Sequence, residues 1–244
     1  MLTHFNIAQR FCGPPGIGNG GYVAGRLAGA LPGAVEVTLR RPTPLDTELS
    51  RRGAHGSATL HAPDGTLLAE ARVGPALELV PLPAVSFAEA GQASKRFLGF
   101  RHHPYPDCFV CGLTRPANEL AGLALHPGAL DDLASAPRPC VAAPFVPPAD
   151  LCDAAGLLAT EQVWAALDCP SWFGHAAFVE STPPMLLGKL AVELLRRPAA
   201  GEPCVVLGFA LGQEGRRILC GSALLAAGQV IAHARATWIT LKTA

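Results

Sequence analysis

Gly56-Ser57-Ala58-Thr59-Leu60-His61-Ala62-Pro63-Asp64-Gly65-Thr66-Leu67-Leu68-Ala69-Glu70-Ala71-Arg72 is written a second time, in altered form. The second copy is Gly221-Ser222-Ala223-Leu224-Leu225-Ala226-Ala227-Gly228-Gln229-Val230-Ile231-Ala232-His233-Ala234-Arg235. With a two-residue gap at Pro63-Asp64, nine of the fifteen aligned positions are identical. Upstream of each copy stands another echo, Leu39-Arg40-Arg41-Pro42 against Leu195-Arg196-Arg197-Pro198. The copies lie roughly 160 residues apart, far beyond the 20–50-residue period of a solenoid, so they imply a duplicated fold. Two like halves packed together make an internal two-fold interface, a common place for a binding cleft.

Working outward from each copy, one pattern recurs. In the first half, Gly18-Asn19-Gly20-Gly21 opens a helix expected over 22–31, with Val23, Leu27 and Leu31 at apolar spacing and Pro32-Gly33 as its stop. Val35 to Leu39 alternates as a strand, Thr47 to Ala62 reads as one long strand, and Pro63-Asp64-Gly65 turns the chain into Thr66 to Val73. In the second half, Thr160 to Asp168 is helical. Leu186–Leu195, Cys204–Leu211, Arg217–Ala226 and Val230–Leu241 follow as strands, with a turn at Gly228. Residues 81–137, rich in Pro and Gly, form a connector with a short helix around Phe87 to Lys95. The expected divisions are therefore 1–80, 81–137 and 138–244.

Composition narrows the function. The 244 residues are 50% hydrophobic and 16% charged, ample material for a core. Nineteen basic residues balance nineteen acidic ones, so the excess of cations that nucleic-acid binding demands is missing. Nucleic acid is excluded as a partner. The amino terminus reads as no secretory signal, and the longest uncharged run, Ile218 to Ala232, is short for a membrane span and broken by Gly221 and Gly228. The expectation is a cytoplasmic protein with no membrane partner, its eight cysteines reduced.

One helix against a curved antiparallel sheet, repeated in tandem, resembles the hotdog fold, here an α+β double hotdog. Tyr105-Pro106-Asp107-Cys108-Phe109-Val110-Cys111-Gly112 and Val163-Trp164-Ala165-Ala166-Leu167-Asp168-Cys169-Pro170-Ser171 resemble phrases in bacterial hotdog proteins of the acyl-CoA thioesterase superfamily. The resemblance covers most of the chain and implies thioester hydrolysis, with acyl-CoA or a related thioester as substrate and no cofactor. Similar thioesterases carry His-Gly-Gly at the helix start, with an acid seven positions after the second Gly.

This chain divides that set between its halves. Asn19-Gly20-Gly21 stands at the first helix start with Ala28 at the acidic position; Ala159-Thr160-Glu161 stands at the second with Asp168. The expectation is one complete site per chain. Gly20 and Gly21 would polarise the carbonyl, since a helix start offers unpaired N–H groups and partial positive charge. Asp168 would activate water or attack directly, Asn19 would orient the carbonyl or cap the helix, and Thr160, Glu161 and Trp164 would line the substrate. The plainer readings are a tight turn at Gly20-Gly21 and a turn acid at Asp168 ahead of Pro170.

Cys108 and Cys111, with His102 and His103 upstream, have the spacing of half a zinc site, which would need a distant ligand such as Cys140 or Cys152. A lone Cys-x-x-Cys is a weak signal, so two buried thiols tying down the connector, with no metal, is the default. Two other functions compete: a non-catalytic acyl-CoA-binding or regulatory protein, and an acyl-thioester dehydratase or hydratase, which would want a catalytic His that neither helix start supplies. Unpaired sheet edges point to a homodimer.

Overall fold

Eleven strands among the described residues join one continuous antiparallel sheet. The computed structural model describes residues 1–29, 31–116, 121–131, 137–183 and 185–241. The elements are β1 (Leu2–Phe5), α1 (Gly20–Ala28), β2 (Val35–Leu39), β3 (Leu49–Ala54), β4 (Ser57–His61), β5 (Leu67–Val73), α2 (Phe87–Ser94), β6 (Gly128–Ala129), β7 (Cys140–Phe145), α3 (Thr160–Ala176), β8 (Met185–Leu194), β9 (Cys204–Glu214), β10 (Arg217–Ala226) and β11 (Gln229–Thr240). The strand order is β1-β3-β4-β5-β2-β8-β11-β10-β9-β7-β6. Counted outward from the β2–β8 seam, the two sides repeat one sequence of strands, with β6 as an addition.

The likeness extends to single hydrogen bonds. The Asn19 N–H donates to Phe11 O and the Ala159 N–H to Leu151 O, while Gly13 N–H donates to Ile17 O and Asp153 N–H to Leu157 O. Leu68 O accepts from the N–H groups of Arg40 and Arg41; Ile231 O accepts from those of Leu195 and Arg196. The two repeated phrases occupy β4–β5 and β10–β11, and each pair carries a register shift, at Leu60/His61 and at Leu224/Leu225, one position apart in the aligned repeat.

The helices α1 and α3 lie on one face of the sheet and touch one another. Gly21 and Gly25 make that contact possible: a Cβ on Gly21 would stand 2.7 Å from Trp164 O, and one on Gly25 2.5 Å from the Glu161 Cα. As α1 advances from Gly21 to Gly25, its neighbours on α3 retreat from Asp168 to Glu161, so the helices run in opposite directions. One hydrophobic core joins Leu27 and Val37 to Leu167, Leu190 and Val206. The connector reaches the other face. Ala90 and Ala93 of α2 pack on Ala142, Leu207 and Ala223, which alternate with the strand residues beneath α3. A capping box starts α2: Ser86 N–H donates to Glu89 Oε2 at 2.7 Å, and Glu89 N–H to Ser86 Oγ at 3.2 Å.

Three expectations need correction. The stretch 47–62 is a hairpin, β3 and β4, because Gly56 adopts φ 67° and reverses the chain beside His55. The first helix is Gly20–Ala28, earlier at both ends than 22–31, because Asn19 caps it; residue 30 lies outside the described residues. The second helix does not stop near Asp168 but runs through Pro170 to Ala176. Ser222 Oγ donates to Leu167 O and Ser171 Oγ to Asp168 O, each at 2.6 Å, so hydroxyls serve the carbonyls around the proline.

Candidate active site

The α1–α3 contact carries the one buried carboxylate of this region. Asp168 is 2% exposed. Its Oδ2 accepts from the Gly21 N–H at 2.8 Å and from Asn19 Nδ2 at 3.0 Å. Asn19 thereby serves both helices, since its Oδ1 accepts from the Tyr22 N–H at 2.9 Å and caps α1. Asp168 Oδ1 is buried with no hydrogen-bond partner. Burial pushes this carboxyl up to about 7 against the pull of the Gly21 and Asn19 donors.

Two adjoining cavities meet beside it. The smaller, about 280 Å³, is lined by Asn19, Gly20, Asp168, Leu187, Met185 and the Arg40–Thr43 turn. The larger, about 470 Å³, is lined by His103, Cys111, Trp172 and Phe173 among others. Tyr105, Cys108, Cys169, Met185 and Trp238 line both, so the cavities form one crevice with Cys108 and Cys169 at its waist. The walls are mostly apolar, which suits a hydrophobic acyl group.

Asn19, Gly20, Gly21 and Asp168, read from sequence as one site, do come together. Their arrangement differs from the expectation at Gly21. Its N–H is occupied by Asp168 and cannot also polarise a substrate carbonyl. Among the described residues nothing accepts from the Gly20 N–H, and Gly20 lines the smaller cavity. Thr160, Glu161 and Trp164 line neither cavity. They sit in the first turns of α3, where Glu161 and Trp164 press against Gly25, because the helix start faces α1 rather than the crevice. The position equivalent to Asp168, Ala28, is buried and brings no acid to that end.

Three sulfurs, one more than the Cys-x-x-Cys pair, meet beside the crevice. Sγ atoms of Cys108, Cys111 and Cys169 all lie within 4.8 Å of one another, and all three residues are buried. The expected additional ligands are elsewhere: the Cys140 thiol donates to Arg138 O and the Cys152 thiol to Pro148 O. His103 has both ring nitrogens engaged, Nε2 with Cys111 O and Nδ1 with the Tyr105 N–H, each at 3.1 Å. Cys169 carried a usable signal, for it follows Asp168 directly on the helix expected to reach the site.

Comparison with solved structures gives the fold. The fold matches the tesB protein of Mycobacterium avium subs paratuberculosis with TM-score 0.64 at 11% identity, over 99% of this chain and 93% of that one. It matches the acyl-CoA thioesterase II TesB2 of Mycobacterium marinum with TM-score 0.59 at 13% identity, over 100% and 94%. It also matches a conserved protein of unknown function with a hot dog fold from Alicyclobacillus acidocaldarius, TM-score 0.58 at 14% identity, over 100% and 94%. No protein-family model and no curated protein matches the chain. The fold is therefore the hotdog fold. No helix among the described residues is long and apolar enough to cross a membrane.

Proposed function

We propose that this chain is an acyl-CoA thioesterase-like hydrolase built as a tandem hotdog, with halves 1–80 and 138–244 joined by the connector 81–137. One observation carries the reading: a buried carboxylate, Asp168, is held across the α1–α3 contact by the Gly21 N–H and Asn19, at the wall of an apolar crevice. The name of one structural neighbour, acyl-CoA thioesterase II, supports it, as does the repeated strand order about the β2–β8 seam.

In this mechanism Asp168 takes a proton from water as the oxygen adds to the thioester carbonyl carbon. The Gly20 N–H, at the positive end of α1, receives the developing oxyanion. Collapse breaks the C–S bond, and the leaving thiolate regains the proton from Asp168, giving a carboxylic acid and a thiol. Asn19 and Gly21 are positioning residues that fix the carboxylate. Trp172, Phe173 and Trp238, not Trp164, face the acyl chain. The substrate is acyl-CoA or a related thioester, the location cytoplasmic, and the exposed sheet edge at β1 favours a homodimer.

The test is release of thiol from a panel of acyl-CoAs by wild type and Asp168→Asn. Asparagine keeps the shape and the acceptor oxygen for Gly21 but cannot take a proton. Turnover in the wild type and a fall of about 100-fold or more in the variant are expected. Equal rates remove Asp168 from the reaction, and binding without turnover in the wild type identifies an acyl-CoA-binding protein instead. A dehydratase is disfavoured because it would want a catalytic histidine at a helix start, and neither Asn19-Gly20-Gly21 nor Ala159-Thr160-Glu161 supplies one.

A further inference from the structure

The turn at Cys108–Gly112 is built to bring two sulfurs together. The Gly112 N–H donates to Cys108 O at 2.8 Å, and a Cβ on Gly112 would stand 2.5 Å from that oxygen, so only glycine closes the turn without displacing backbone. From the other half, α3 presents Cys169 to the same point. Cys108 Sγ and Cys169 Sγ are 3.7 Å apart. Four ligands around zinc at about 2.3 Å per Zn–S bond would hold sulfurs about 3.8 Å apart, so this spacing is that of a tetrahedral thiolate site.

We propose that Cys108, Cys111 and Cys169 bind one zinc ion, with a fourth, exchangeable position open to the crevice. Three protein ligands and an open place are the pattern of a reactive rather than a purely structural zinc. The crevice supplies the access: Cys108 and Cys169 line both of its cavities, and Cys111 the larger. A second observation lies one residue away. Asp168 Oδ1 is buried without a partner, while Asn19 Nδ2 stands 3.0 Å from Asp168 Oδ2 and 3.9 and 4.0 Å from the sulfurs of Cys108 and Cys169. A water on the zinc would give the unpaired oxygen a donor.

Zinc would displace the thiol protons and replace three thiols, bonded only weakly to one another, with three strong bonds. It would also tie the connector to α3 at the crevice wall.

The site does not depend on the hydrolase reading, and the test separates them. The full chain, untagged and purified under reducing conditions, should contain one zinc per chain by mass spectrometry of the metal. Exchange with cobalt should give a thiolate-to-cobalt charge-transfer band and the intense visible bands of a tetrahedral ion. Cys111→Ser should lose most of the metal, whereas Cys140→Ser, a buried thiol outside the cluster, should keep it. If Cys111→Ser fails to fold, the wild-type metal content and cobalt spectrum still decide. Metal content near zero after incubation with zinc overturns the proposal, and so does a Cys108–Cys169 disulfide in the freshly reduced chain. Zinc without acyl-CoA turnover keeps this site and removes the hydrolase; turnover by a chain that takes up no zinc does the reverse.

Discussion

Asn19 holds two positions in one side chain, and substitution can separate them. Its oxygen caps α1 and its amide nitrogen fixes Asp168. Serine caps a helix about as well as asparagine, whereas alanine costs about 1 kcal/mol. Asn19→Ser should therefore melt within a few degrees of wild type but lower kcat roughly 10-fold, the cost of about one hydrogen bond. A cap alone would leave kcat untouched, so steady-state kinetics beside a thermal melt settles which function counts. Gly21 offers the complementary test. A Cβ there would meet the Asp168 Cβ at 2.5 Å and Trp164 O at 2.7 Å. Gly21→Ala should destabilise by about 1–3 kcal/mol through overpacking, with loss of turnover as Asp168 is displaced. Unchanged urea midpoint and unchanged rate would show that α1 and α3 are less closely apposed than described.

At the scale of elements, the packing of α3 on β9 explains a helix that the sequence misrepresents. Pro170 signals an end, because proline removes an N–H and crowds the carbonyl four residues back. The helix continues because the sheet beneath is shaped for it: Gly208 lies under the Pro170 carbonyl, and a Cβ would sit 1.8 Å from that oxygen. Gly174 on the helix answers in kind, with a Cβ position 2.0 Å from the Phe209 N. Gly208→Ala must separate helix from strand. A loss of about 3 kcal/mol or more is expected, the upper end for overpacking, because the clash is with backbone that no rotamer relieves. Chemical denaturation measures it; a loss below about 1 kcal/mol would deny the close approach. No local pattern discloses such a contact. The hairpins at Pro63-Asp64-Gly65 and Gly228 were readable because their turn residues announce themselves. Thr160, Glu161 and Trp164 stand apart from the crevice because the register on α3 places them one to two turns from Asp168, with Glu161 and Trp164 against α1. Asp168 and Asn19-Gly20-Gly21 could be paired only because the repeat aligned the two helix starts and the resemblance to thioesterases implied an acid seven positions after the second glycine.

For the whole molecule, the decisive feature is that the halves share a seam rather than merely touch. Strands β2 and β8 pair in register, Val35 with Val192 and Val37 with Leu190, and Lys189 reaches Glu36 at 2.9 Å. Residues on both sides, Val37 and Leu190 among them, belong to a single hydrophobic core, and α1 leans on α3 above it. A core that crosses the seam should make unfolding cooperative, since neither half buries its edge strand or its helix alone. All three tryptophans lie in α3 and β11, so fluorescence reports the second half, and hydrogen exchange of β4 and β5 peptides reports the first. The two should give one midpoint in urea. Leu190, fully buried at the seam, is the residue whose loss both probes must feel. Leu190→Ala should cost about 3 kcal/mol, lowering Tm by roughly 6–12 °C in a chain of this size, with the two signals still coincident. If fluorescence moved while exchange in β4 and β5 stayed at its wild-type midpoint, the halves would be separate folding units, and a site assembled from both would have no common scaffold to hold it.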